Sequence, residues 1–439
     1  MDEWESPTTV FWPHRGDWHI AAEHYRIWAL NRMNFVTRPA KLAHHTGWLH
    51  LVGKNYLGEI NFTFEGMGEA AIAAMEKTGL TGLLVSGHTE KGLYSADSSL
   101  TPAKSLGGVN GFKKMCEKLH RFGMHVVVST FRQSAVAMDR EDEFAPYKGW
   151  TMLDRLGEPR SEYWSMGSLE AAYGFEAGAP LWARVCPSCL PWWSDLLKEI
   201  RQLADLGCDG ICLQTFGQEG GICYAGDHGH KPGAWMTPVL RDRLAWLWDE
   251  LQRSHPGFFL AADGFSDWAG QYFTLAYKRK SEGNGYQVFP ATFPEIKRQL
   301  VVDTNSERQV AKAFLMSWGW IVEIDGGRKG LDGTAPWVEK MSYFSKIRQT
   351  YPQYLLNGRY LDQGPFLISG DGVQSAVHQG PDGYAVVLWN PFLSSVVCQV
   401  ISPQPCLCRL LRYNEEDKME NLPAEFEILG GEVCVLLVK

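Results

Sequence analysis

The segment 192–235 constrains the fold most, because it runs from an amphipathic helix through a buried strand into a polar loop. Trp193, Leu196, Leu197, Ile200, Leu203 and Ala204 recur at helical spacing, and Gly207 marks the helix end. Asp209-Gly210-Ile211-Cys212-Leu213-Gln214 then reads as a strand buried on both faces. The following stretch, 215–230, concentrates carboxylates, imidazoles and amides, among them Glu219, Asp227, His228 and His230. In parallel α/β proteins the residues just past a strand's C-terminal end carry the chemistry.

The same unit recurs along the chain. Strands are expected at 80–86, 124–130, 181–185, 210–214, 258–263, 285–289 and 318–324, with a weaker candidate at 300–302 and helical spacing between them, as at 111–122. Strands alternating with helices imply βαβ units, and this number fits a (β/α)8 TIM barrel better than an open sheet. No G-x-G-x-x-G opens a helix and no Walker loop is present, so no nucleotide or other cofactor is expected. From about residue 358 the hydrophobic period falls to two, at 383–390, 395–401, 408–413 and 425–438, which predicts a C-terminal antiparallel β-sandwich. The expected division is an N-terminal segment 1–58, a barrel 59–355 and a sandwich 356–439. Residues 21–28 read as helical, with no evident packing partner.

With 439 residues and 45% hydrophobic content, the chain can bury a large core. Its 18 Trp, 16 Tyr and 21 Phe fill that core or line a sugar cleft, since flat rings complement the C–H faces of pyranoses. A net charge of -8 and the lack of a Lys/Arg run argue against a nucleic-acid partner. No apolar run reaches the ~20 residues that span a bilayer, so no membrane association is expected. The first residues, MDEWESPTTVFWPHRGDW, have neither the basic start nor the apolar stretch of a signal peptide, which predicts a cytoplasmic protein. Oligomeric state leaves no signal. Ten cysteines, several inside apolar runs (Cys212, Cys398, Cys434), read as reduced core residues.

Several short motifs carry a resemblance. Gly53-Lys54-Asn55 with Gly58-Glu59, Leu106-Gly107-Gly108, Cys186-Pro187-Ser188, the strand 207–214, Cys223-Tyr224, His228-Gly229-His230 and Phe293-Pro294-Glu295 lie in an order similar to a glycosidase-like, HGH-loop-containing branch of the α-galactosidase (melibiase) type of barrel proteins. The resemblance spans roughly residues 17–400 and implies a carbohydrate substrate. It also implies a nucleophilic Asp at the end of the fourth barrel strand, in a Leu-Asp-Gln-like pattern. Here the matching residues are Leu213-Gln214-Thr215. An amide is not a competent nucleophile toward an anomeric carbon. Gln214 is therefore a lost nucleophile, a carboxylate exchanged to trap substrate, or the sign of a register one residue off.

Glycosidases need two carboxyl groups across the scissile bond, about 5 Å apart when retaining and about 6.5 to 9.5 Å apart when inverting. Asp263 ends the strand 258–263 and is the expected general acid/base, with a helix N-cap as its structural alternative. Asp227 is the expected second carboxylate, with Glu219 as a further choice in the same loop. Asp209 precedes its strand and reads as structural. Gln214, His228, His230, Asp97, Arg132, Glu219 and Trp318 are expected to contact substrate: the imidazoles offer a donor and an acceptor to hydroxyls, and Trp318 offers a stacking face. His-x-His with Cys223 matches no zinc-finger spacing, so no metal site is expected. Cys186-Pro187-Ser188-Cys189 has the redox C-x-x-C form, but its place at a strand end in a large fold favours a rim loop. Two functions follow, a glycoside hydrolase and a catalytically silent glycan-binding barrel.

Overall fold

Eight short strands alternate their side chains between the inside and the outside of a closed parallel sheet. The computed structural model describes residues 9–55, 58–93, 99–130, 135–137, 144–162, 182–214, 220–264, 266–278, 287–294, 296–302, 306–324, 336–362 and 364–439. Strands β1 (Gly47–Val52), β2 (Gly82–Ser86), β3 (His125–Thr130), β4 (Gly210–Gln214), β5 (Phe259–Asp263), β6 (Leu275–Lys278), β7 (Lys297–Val302) and β8 (Gly319–Ile324) pair in sequence order. Strand β8 returns to β1 with Trp48 opposite Ile321, which closes the barrel.

One parity of these strands packs inward. Trp48, Leu84, Val127, Cys212, Phe259, Ala261, Leu275, Tyr277, Val301 and Ile321 form a single buried cluster. The other parity, including Leu49, Leu83, Val126, Ile211, Leu260 and Val322, belongs to a larger core shared with the surrounding helices. Those helices are α2 (Phe64–Thr78), α3 (Gly108–Arg121), α4 (Leu190–Asp205), α5 (Thr237–Ser254), α6 (Glu307–Leu315) and α7 (Pro336–Thr350). Helix α2 shows how they are bounded: the Thr63 hydroxyl accepts from the Gly66 N–H at 3.2 Å, and Gly79 ends the helix at φ 72°. In α4 the periodic set Trp193, Leu196, Leu197, Ile200 and Leu203 is buried, as its spacing requires.

Two of the eight barrel strands differ from expectation. The segment 182–184 is a strand, but it pairs antiparallel with 135–137 and 161–162 in a small sheet outside the barrel. Val288–Thr292 is helical, and the barrel strand here is Leu275–Lys278. Its apolar core is only Leu275-Ala276-Tyr277 before a basic run, too short to register against the Gly-Asn-Gly signal downstream. Gly47–Val52 instead opens the barrel from within the segment expected to stand apart, burying Trp48 inward and Leu49 and Leu51 outward. The weak candidate at 300–302 is the end of β7.

Helix α1 (Trp18–Leu30) packs on the 288–292 helix, with Ala29, Met33, Phe289 and Phe293 in one cluster. The C-terminal region is the expected sandwich. Strands β9 (Arg359–Asp362), β10 (Leu367–Ser369), β11 (Gln374–Gly380), β12 (Gly383–Trp389), β13 (Val396–Ile401), β14 (Cys406–Arg412), β15 (Lys418–Leu422), β16 (Ala424–Ile428) and β17 (Val433–Val438) form two antiparallel sheets, ordered β9-β11-β12-β17-β14-β15 and β10-β13-β16. Val377, Val386, Cys398, Val400 and Leu436 fill the space between them. The opposite face of the larger sheet, through Ala385, Val387, Trp389 and Val435, joins the barrel core. The buried His378 donates from Nε2 to the Leu315 carbonyl at 2.8 Å across this junction. No helix among the described residues is long and apolar enough to cross a membrane.

Small residues at the barrel floor leave room for large ones. A methyl on Gly82 would lie 2.2 Å from the Trp48 ring, its register partner. Gly82→Ala should therefore destabilise the chain by about 3 kcal/mol in urea unfolding, whereas Gly149→Ala, whose methyl meets nothing within 4 Å, should change stability by less than ~0.5 kcal/mol.

At the N-terminal end of β4, Asp209 accepts from His120 Nε2 at 2.9 Å, Lys41 Nζ at 2.8 Å and the Val126 N–H at 2.9 Å. Burial opposes its charge, but these bonds outweigh burial and hold the carboxyl well below the usual range, while the Asp209 bond raises His120. A depressed carboxyl stabilises above its unfolded pKa, near 4, and loses that contribution as pH falls through the folded value. A raised imidazole stabilises below about 6.5 and loses its contribution as pH rises through its folded value. Asp209→Asn should thus cost about 2 kcal/mol, discounted for the part-exposed His120, at pH 5–6. The deficit should shrink both below about pH 4 and above about pH 7 in pH-resolved thermal unfolding.

Candidate functional site

The inward parity, mostly apolar through the lower barrel apart from His125 and the buried Gln299, turns polar at the C-terminal ends of the strands. His50, Ser86, Ser129, Gln214, Asp263 and Glu323 all share that parity. Cross-strand hydrogen bonds join them. His50 is 9% exposed, with Nδ1 3.0 Å from Glu323 Oε1 and Nε2 2.8 Å from Ser86 Oγ. A carboxylate only accepts, so Nδ1–H donates to Glu323, and in a neutral ring Nε2 then accepts from the Ser86 hydroxyl. The order Ser, His, Glu is that of a nucleophilic triad. Ser86 is 1% exposed and offers no open face to a substrate, so the chain of bonds serves to hold Glu323, whose side chain is 35% exposed.

On the adjoining arc, Gln214 and Asp263 are register partners on β4 and β5, both half-buried. Gln214 donates from Nε2 to Ser129 Oγ at 2.5 Å. Asp263 is also in register with Tyr277, whose hydroxyl is buried in the barrel interior and has no partner among the described residues. The ring therefore presents two carboxylates, an amide and an imidazole above an apolar floor. Such a set can orient hydroxyl groups and exchange a proton at one oxygen.

A second group of side chains lies in the loops after β3 and β4. Cys186, Cys223, His228 and His230 place one ligand atom each within 4.8 Å of all the others. His228 Nε2 donates to the Gly149 carbonyl at 2.9 Å, and His230 Nδ1 to the Lys231 carbonyl at 3.0 Å. The neighbouring Asp227 carboxylate is 84% exposed and 3.8 Å from His228 Nε2.

Of the residues expected from sequence, Gln214 and Asp263 come together on the ring, and His228 and His230 come together with two cysteines. Trp318 does not offer a stacking face. It precedes β8 at the end opposite the mouth and is 2% exposed, with Arg298 over its ring at 5.6 Å and its carbonyl accepting from Arg348 at 2.7 Å. Core packing claims it because it enters its strand, whereas a mouth residue leaves one. Asp97, Arg132 and Glu219 lie outside the described residues. Sequence reasoning passed over His50, Ser86, Ser129 and Glu323. Their signal was a polar residue two positions after an inward apolar one, as in Trp48-Leu49-His50 and Ile321-Val322-Glu323.

Comparison with solved structures bears on the fold. The chain is similar to the alpha-N-acetylgalactosaminidase NagBb from Bifidobacterium bifidum in complex with GalNAc, at 16% identity and TM-score 0.62, covering 85% of this chain and 62% of that one. It is likewise similar to an alpha-amylase from Geobacillus thermoleovorans (12% identity, TM-score 0.62, covering 90% and 98%). The noncanonic maltogenic alpha-amylase AmyB from Thermotoga neapolitana gives 12% identity, TM-score 0.62 and coverage of 91% and 100%. At these identities the likeness is one of fold, and this chain spans 62% of the length of the N-acetylgalactosaminidase. No curated protein sequence matches the chain. The model of the family described as "Domain of unknown function (DUF6259)" matches residues 5–268, more than half of the sequence, and the chain belongs to that family.

Proposed function

We propose that this chain is a carbohydrate-active barrel protein of the glycoside hydrolase type, taking a glycosidic substrate at the ring of His50, Gln214, Asp263 and Glu323. The observation that carries this reading is positional: two carboxylates stand at inward-facing strand ends above an apolar floor. Asp263 is assigned the proton exchange with the glycosidic oxygen. Glu323, held by His50, is assigned as the second carboxylate in preference to Asp227, because nothing fixes the 84% exposed Asp227 side chain against a substrate. Asp97, Arg132 and Glu219 follow β2, β3 and β4 in sequence and are assigned to substrate contact. An α-galactosidase-type kinship rests on the motifs from Gly53-Lys54-Asn55 to Phe293-Pro294-Glu295. Together with the GalNAc complex of one structural neighbour, it makes α-galactosides and α-N-acetylgalactosaminides the first substrates to test.

One observation favours a silent, glycan-binding form of the same site. Gln214 stands where the resemblance implies a nucleophile, and its amide donates to Ser129, a direction of bonding closed to a carboxylate. Without that nucleophile the covalent route is lost, while hydroxyl recognition is kept. Nitrophenyl α-glycosides, assayed for turnover and by calorimetry for binding, test both forms. The chain should bind a galacto-configured glycoside and turn it over poorly. Gln214→Asp should raise turnover at least ~10-fold, equivalent to about 1.4 kcal/mol of transition-state stabilisation. Asp263→Asn should remove residual turnover but leave binding within ~3-fold. Full activity in the unaltered chain that survives Asp263→Asn would refute the assignment.

A further inference from the structure

The excursion between β3 and α4 and the hairpin after β4 meet at Cys186, Cys223, His228 and His230, and their geometry goes beyond what hydrogen bonding requires. Cys186 Sγ is 3.4 Å from His230 Nε2, and Cys223 Sγ is 3.7 Å from His228 Nδ1. A tetrahedral zinc ion with Zn–S of about 2.3 Å and Zn–N of about 2.0–2.1 Å sets sulfur and nitrogen about 3.6 Å apart. The two sulfur–nitrogen distances match that spacing, and all four ligand atoms lie within 4.8 Å of one another.

The rings are oriented for coordination. Because a carbonyl only accepts, the bonds to Gly149 and Lys231 place the protons on His228 Nε2 and His230 Nδ1. The remaining lone pairs, on His228 Nδ1 and His230 Nε2, are the ones that face the sulfurs. Metal-ligating imidazoles are commonly fixed through a carbonyl in this way. Both cysteines are fully buried and His228 is 9% exposed. Met152, Ala225 and Met236 pack around the two cysteines.

We propose that Cys186, Cys223, His228 and His230 bind zinc as a closed Cys2His2 site that fastens the β3–α4 excursion to the β4 hairpin. Each thiol releases one proton to solvent on binding, so the two thiolates cancel the dication and the buried site is neutral. Four protein ligands leave no open position, and the ion holds the loops without activating water. Cys189 stands outside the shell, its thiol reaching the Trp150 carbonyl at 3.6 Å.

The test uses the whole chain expressed with zinc in the medium and quantified by elemental mass spectrometry. About one zinc per chain is expected, unchanged in Cys189→Ser and at least ~10-fold lower in Cys223→Ser and His230→Ala. Chelator-stripped protein titrated with cobalt(II) should develop intense visible bands of tetrahedral coordination and a thiolate-to-cobalt charge-transfer band. Chelation should lower the thermal midpoint by at least ~5 °C. The cobalt spectrum of the unaltered chain decides the matter even where a variant fails to fold. Absence of both zinc and the cobalt bands overturns the proposal, as does zinc retained in full by both ligand variants, or a disulfide between Cys186 and Cys223 in the freshly purified chain.

Discussion

Closure of the parallel sheet is the constraint on which the molecule depends. Once β8 pairs with β1, every strand must commit one parity to a lumen too narrow for water and large enough only for interlocking side chains. Trp48 and Phe259 fill the floor where Gly82 and Gly210 give way, and Tyr277, Val301 and Ile321 stand higher in the same lumen. A lumen packed in this way leaves only the strand ends for polar side chains that point inward and still meet solvent, and at the C-terminal end these are the last positions of the strands. His50, Gln214, Asp263 and Glu323 occupy them.

Charge is distributed between the two ends of the barrel by the same logic. The Asp209 carboxylate, at the N-terminal end, is surrounded by donors from His120, Lys41 and the Val126 backbone, and its lone pairs are spent on structure. Arg348, fully buried beside the same end, donates from Nη2 to the Ala313 and Trp318 carbonyls and lies 3.9 Å over the Trp320 ring; burial lowers its pKa to about 9. At the mouth, Glu323 accepts from the His50 imidazole and its side chain is 35% exposed. The Cys and His cluster then ties down two of the loops that leave that mouth.

Much of this was legible in the sequence, and the failures have physical causes. Strands such as 210–214 and 259–263 announce themselves because burial on both faces makes them continuously apolar, and Gln214 and Asp263 follow as the first polar residues after each run. β6 is nearly silent because barrel pairing needs only Leu275 to Lys278, and β1 was hidden because it follows His44-His45-Thr46 and is itself interrupted by His50. Asp263 could be read from a strand's end, but His50 and Glu323 could not be paired from sequence, since 273 positions separate them and only barrel closure makes them neighbours. The four-ligand cluster was hidden for a similar reason: Cys186 and Cys223 come from different loops, and no short spacing records their contact. Trp318 was misread because a residue at a strand's start and one at its end look alike until the strand's bounds are fixed.

A crystal structure of the chain soaked in galactose or N-acetylgalactosamine would show whether the polar strand ends form the working site. A pyranose should be seated at the barrel mouth with its hydroxyls against Asp263 and Gln214 and the Glu323 carboxylate within reach. A sugar bound only on the β-sandwich, or a mouth left empty at saturating sugar, would contradict that role.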